Sequence, residues 1–189
     1  MGDGIGCRQG DGVLECIGGL GAEGELQLPA KHTRPKTGRG RGAEHTQRTA
    51  APAEALAGKL ADVGPVRIEL VENRTDAKLW NEYVDRYHDL GYRKPFGCTR
   101  YYFVVGAPGL LGCVLVAGAT RAIKARDEWI GWNKQRRQEN LPWVINNTRF
   151  LMFPWVEIRH LASHVLGKQA RHVGEDWQQR WGCTPLLGH

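Results

Sequence analysis

The distribution of aromatic residues constrains this chain most. Residues 1–62 contain no Phe, Trp or Tyr, and all sixteen aromatics lie in 63–189. Aromatic side chains supply much of the apolar area that a core removes from water, so the core must form from the second stretch. The first stretch holds 13 of the 25 glycines. Burial there does not offset ordering entropy, and 1–62 is expected to be a mostly disordered N-terminal region. Residues 63–189 then form one domain.

Charge divides at the same place. Residues 1–62 carry 8 Lys/Arg against 8 Asp/Glu, whereas 63–189 carry 18 against 12, so the whole net charge of +6 belongs to the second part. A basic domain is compatible with DNA, RNA or another polyanion. Within the N-terminal region, 31–48 (KHTRPKTGRGRGAEHTQR) holds six Lys/Arg and one acid. It reads as a solvated linker or as an arm that contacts phosphates. Ala-rich 50–61 has the composition of a short helix, limited by Pro52 and Gly58.

Five cysteines (Cys7, Cys16, Cys98, Cys113, Cys183) include no C-x-x-C pair, so neither zinc nor a disulfide framework is indicated. The Gly-rich start lacks the apolar core of a secretory signal. The longest apolar stretch, 110–119, is too short to span a bilayer. A cytoplasmic protein with reduced thiols and no membrane partner is expected.

Periodicity predicts alternating elements. A strand is expected at 66–71 and a helix at 75–90. That helix buries Leu79, Trp80, Tyr83, Val84, Tyr87 and Leu90, with Thr75 or Asp76 as cap. Strands follow at 101–105 and 110–119, the second apolar enough to be central and covered on both faces. Short helices are expected at 120–128 and 134–138, and a strand at 150–156 that weakens at Pro154. A long helix at 160–181 carries an apolar stripe of Ala162, Leu166, Ala170, Val173, Trp177 and Trp181. A last apolar stretch begins at Pro185-Leu186-Leu187. The fold class is α/β (α+β): a mixed central sheet flanked by helices, with an N-acetyltransferase-like order of elements. Because that final stretch stops after a few residues, the domain is expected to be incomplete at its C-terminus.

Four segments, 79–92 (LWNEYVDRYHDLGY), 125–132 (ARDEWIGW), 140–156 (NLPWVINNTRFLMFPWV) and 160–167 (HLASHVLG), together resemble the DruA family. The resemblance covers about residues 60–187. It implies a role in Druantia anti-phage defence or a related mobile-element context, with other defence-system proteins as partners. Relatives beside transposition genes make a transposase-associated protein an alternative. The resemblance carries over no catalytic residues.

Several side chains stand out as sites. The start of the long helix presents Arg159, His160 and Ser163, and free N–H groups at a helix start favour anions. In an N-acetyltransferase-like fold this position binds acyl-CoA, which makes a degenerate acyltransferase one alternative; the glycine-rich loop for a pyrophosphate is missing here. His160, His164, Lys168, Arg171 and His172 fall on one side of that helix, either a solvated face or a phosphate-binding one. His160 and His164 have metal-ligand spacing without a third ligand, so no metal is expected. Asn146-Asn147-Thr148-Arg149 reads as a turn, or with Asn147 and Arg149 as an oxyanion or base contact. His88 is the remaining acid–base candidate. Trp129, Trp132 and Trp143, beside Arg136 and Arg137, either fix loops to the core or stack unpaired bases. No acid pair has nuclease or glycosidase spacing. The preferred reading is a nucleic-acid-binding accessory protein, with an inactive fragment as the plainest alternative.

Overall fold

The computed structural model describes residues 45–119 and 122–187, the last two by backbone alone. The 1–44 part of the expected N-terminal region, including most of the basic run, lies outside the described residues. After a 3₁₀ turn at Gln47–Thr49 come β1 (Leu56–Gly58), a second 3₁₀ turn (Leu60–Val63), β2 (Arg67–Leu70) and α1 (Arg74–Tyr87). Strands β3 (Thr99–Gly106) and β4 (Gly109–Gly118) form a hairpin. Two short helices follow, α2 (Lys124–Ile130) and α3 (Lys134–Asn140). Then come β5 (Val144–Met152), β6 (Val156–Ile158), α4 (Leu161–Trp181) and β7 (Leu186–Leu187).

The main sheet has the order β2-β3-β4-β5-β7. Its first four strands are antiparallel neighbours, and β7 joins β5 in parallel through Val144↔Leu186 and Ile145↔Leu187. The sheet is therefore mixed, as the sequence predicts. The apolar run becomes β4, the middle strand, buried from Leu111 to Ala117. Strands β1 and β6 form a separate parallel pair. The expected helix in 50–61 is absent: Leu56–Gly58 pairs with Val156–Ile158 instead. A strand partner there outweighs the weak helical preference of an alanine stretch broken by Pro52 and Gly58. No helix among the described residues is long and apolar enough to cross a membrane.

Helix α1 buries Trp80, Tyr83 and Val84, with Leu79 and Tyr87 half-buried beside them. Its cap is Asn73, whose side chain accepts the Asp76 N–H at 2.8 Å, so Thr75 and Asp76 lie inside the first turn. The helix ends at Tyr87, three residues before the expected end. Leu90 thus leaves the helical register and is 71% exposed.

The 150–156 prediction also shifts. Strand β5 begins at Val144, so 146–149 is strand rather than turn. A bulge accommodates that polar stretch. Leu115 faces Arg149 and Val116 faces Asn147, leaving Thr148 extra, and its hydroxyl donates to the Leu115 carbonyl at 3.2 Å. The strand stops at Met152, two residues before Pro154, which cannot donate to a ladder.

Residues 45–50 are strapped across α1. The Thr46 amide, the Thr46 hydroxyl (3.2 Å) and the Thr49 hydroxyl (2.5 Å) all donate to Glu82. The Tyr83 and Tyr87 hydroxyls donate to the Arg48 and Thr49 carbonyls, and His45 contacts Asp85. Burial pushes the Glu82 carboxyl up, but the Thr49 and Thr46 donors outweigh it and hold it below its ordinary value. A depressed folded-state value contributes stability at pH above about 4.5, the ordinary glutamate value, and that stability is lost as pH falls through the folded value. Glu82→Gln, which turns one acceptor into a donor facing donors, is expected to lose about 2 kcal/mol at neutral pH. It should also flatten the acid side of a stability–pH curve. Urea unfolding of both proteins at neutral and acid pH reads both effects.

Candidate functional site

Helix α4 buries Leu161, Val165, Gln169, Val173 and Trp177. The sequence places Val173 and Trp177 correctly, but in the first half the buried face sits one residue N-terminal of the expected Ala162, Leu166 and Ala170. Leu166 is 45% exposed and Ala170 is exposed. Spacing alone does not distinguish the two registers there, because Leu161 and Val165 are as apolar as Ala162 and Leu166. Packing on the sheet decides it.

The opposite face is open to solvent. His160, Ser163, His164, Arg171 and His172 are exposed, as is Arg159 just before the helix, and Lys168 is half-buried. Arg159 is held through its backbone, donating to the Gly58 carbonyl at 3.0 Å in continuation of the β1–β6 ladder. The Arg171 guanidinium lies one turn back along the helix, over Gly167. Among the described residues, no carboxylate pairs with Arg159, Lys168 or Arg171. The structure thus sets the predicted residues along one side of the helix, with Arg159, Lys168 and Arg171 as its fixed cations and exposed Glu175 one turn after Arg171.

The helix start itself is unusual. His160 has φ 62°, the single left-handed non-glycine among the described residues, and makes no side-chain cap. Its carbonyl accepts the His164 N–H at 3.0 Å. Every position from Val156 to Leu166 carries a side chain, so this start offers no bare backbone for the close approach of a pyrophosphate. The residues present do not fit acyl-CoA in that way, and no step is derived through it. No three His, Cys, Asp or Glu side chains converge on a metal position among the described residues.

The acid–base candidates meet elsewhere. His88 follows the last residue of α1 and Arg149 lies on β5, yet they are close enough that the guanidinium acts on the imidazole. Burial first, and then Arg149, push His88 below its ordinary value, with Asp89 opposing. The His88 Nδ1 accepts the Leu90 N–H at 3.2 Å, which leaves a neutral ring's proton on Nε2. Arg149 donates to two backbone carbonyls, Gly91 at 3.4 Å through Nε and Thr148 at 2.7 Å. It has no carboxylate partner among the described residues. Asn147 lies two residues away on β5 and is exposed. This corner was legible only as isolated residues, because His88 and Arg149 are sixty-one positions apart in the chain.

The tryptophans divide by role. Trp132 lies under the Arg126 guanidinium, 5.6 Å from its ring centre. Arg126 (2.7 Å) and Arg137 (3.0 Å) grip Asp127 between α2 and α3. Burial raises that carboxyl, but the two arginines outweigh it and hold it low. This is a structural corner. Trp129 is 91% exposed and Trp143 44%. Burial pushes the Cys113 thiol far up, leaving it inert in the core. Sequence reasoning missed the loop after α1, where Arg93, Lys94 and Phe96 are exposed. Its signal is a basic pair followed by Pro-Phe between two glycines.

A family model described as Druantia protein DruA matches residues 19–188. No curated protein and no solved structure matches the chain significantly.

Proposed function

Because the chain belongs to the DruA family, and so to an anti-phage defence context, we propose that it binds nucleic acid through the exposed cationic face of α4. The observation that carries this reading is the row Arg159, His160, His164, Lys168, Arg171 and His172, whose Lys and Arg members have no carboxylate partner among the described residues. A row left open on a rigid helix matches a ladder of phosphates, which fixes position without reading sequence. Other defence-system proteins are the partners that the family context implies. The row supports a binding role and assigns no reaction.

The test is salt-dependent binding to a DNA duplex. Each phosphate contact contributes about 0.9 to the slope of log affinity against log salt. Replacing Arg159, Lys168 and Arg171 together with glutamine is expected to reduce that slope by about 2.7. The wild-type affinity loss between about 50 and about 200 mM salt should then shrink about 40-fold. An unchanged slope in the triple variant, or no duplex binding by the wild type at low salt, refutes the proposal.

A further inference from the structure

The loop joining α1 to β3 combines three features that solvation alone does not explain. Its tip is apolar and exposed: Phe96 is 89% and Leu90 71% accessible. Its charges are all of one sign beyond Asp89. Arg93 and Lys94 are exposed, and neither has a carboxylate partner among the described residues. Its base is tied to the fold. Gly91, with φ 59°, donates to the His88 carbonyl at 2.7 Å and accepts from Arg149. The Tyr92 amide donates to Asp85 at 3.3 Å, and the Tyr92 ring stands edge-on to buried Trp80 at 6.2 Å. Pro95 restricts the tip further.

A phenyl ring held in water on an anchored loop, beside unpaired cations, has the layout of a stacking platform. We infer that this loop binds unpaired bases of a single-stranded nucleic acid, with Phe96 stacking on a base and Arg93, Lys94 and Arg149 facing its phosphates. Stacking needs a free base face. Bases inside a duplex are already stacked on both sides, so Phe96 selects single strands or locally opened duplex. Anchoring at Gly91 and Tyr92 fixes where the loop leaves the fold, so its tip samples a limited region of solvent. A lipid surface fits less well. One ring and one leucine, separated by two cations, offer little area for insertion beside what an interfacial helix buries. The inference takes only its polymer class from the proposal for α4. It adds a second contact surface and the strandedness of the ligand.

The experiment uses the full chain, a labelled oligothymidine, a duplex of similar length, and vesicles of phosphatidylserine and phosphatidylcholine. Phe96 is almost fully exposed, so its substitution should leave folding intact. Phe96→Ala is expected to weaken oligothymidine binding about 5- to 150-fold, the range for losing one stacked base. Duplex affinity should change less than about 2-fold, since no base face is free there. Phe96→Trp should restore single-strand binding and give a fluorescence quench on saturation. Arg93→Gln with Lys94→Gln should lower the single-strand salt slope by about 1.4. An unchanged oligothymidine affinity in Phe96→Ala, or an equal loss on duplex, overturns the inference while leaving the α4 proposal standing. Vesicle binding that depends on Phe96, without any oligonucleotide effect, overturns it in favour of lipid. Single-strand binding that depends on Phe96 but not on the α4 cations supports the inference and leaves the α4 proposal to be decided by the duplex salt slope. A wild type that binds neither oligonucleotide at low salt removes both.

Discussion

Trp80→Ala is expected to cost about 4 kcal/mol of folding stability, within the range for deleting a buried Trp side chain. Trp80 is fully buried. Its ring is met edge-on by Tyr101 at 4.9 Å and Tyr92 at 6.2 Å, and its Nε1 donates to the Tyr102 carbonyl at 2.9 Å. Alanine would remove the apolar area, leave a cavity between α1 and β3, and take away the carbonyl's partner. Trp80→Phe separates these effects. It keeps most of the ring but not the N–H, so about 1–2 kcal/mol should be lost. Since domains of this size have stabilities of about 5–15 kcal/mol, the alanine variant should show a large drop in urea midpoint. It should also loosen the nearby loop, because Tyr92 packs on Trp80. Trp181, 39% exposed, is the control, and its replacement by alanine should cost much less. Equal losses at the two positions would refute this account of the core.

Gly112→Ala is expected to destabilise the protein by about 2–4 kcal/mol through overpacking. Gly112 lies on β4 opposite Met152. A Cβ there would sit 2.3 Å from the Leu151 carbonyl oxygen and 2.6 Å from the Met152 methyl group. The methyl can turn aside, but the carbonyl belongs to the backbone of β5. Relief therefore requires β4 and β5 to part near the middle of the sheet. Close approach, rather than backbone freedom, makes glycine necessary at this position. Gly174 on α4 gives the opposite sign, since an added Cβ there meets nothing within 4 Å. Alanine at 174 should stabilise by about 0.5–1 kcal/mol through helix propensity. Thermal or urea unfolding of the two variants checks both signs, and a neutral Gly112→Ala would contradict the strand spacing described above.

Local patterns in the chain were legible where the physics is local. The apolar run that became β4 announced a central strand, because only a strand covered on both faces tolerates so few polar residues. The spacing of Trp80, Tyr83, Val84 and Tyr87 disclosed the buried face of α1. Pro154 announced a weak point in the expected 150–156 strand, and β5 stops two residues before it. Misreadings came where two local solutions are nearly equal. Both registers of α4's first half are apolar, and only packing chose Leu161 and Val165 over Ala162 and Leu166. The Asn146-Asn147-Thr148-Arg149 stretch has turn chemistry, yet pairing with β4 and a bulge at Thr148 hold it in the sheet. For the candidate site, the cationic residues of α4 were readable as a row, whereas the basic, aromatic loop at 90–97 gave no periodic signal.

The sequence alone determined the family, the central strand and the basic side of the last helix. Each depends on composition or on residues within a turn or a pleat of one another. Only the tertiary structure decided that Glu82 would receive the strap from Thr46 and Thr49, and that Arg149 would reach the His88–Gly91 turn. It also decided that Phe96 would stand in water beside unpaired cations. Those outcomes join residues tens of positions apart, or depend on what fails to cover a side chain. They follow from how the whole sheet and its helices exclude water together, which no local pattern encodes.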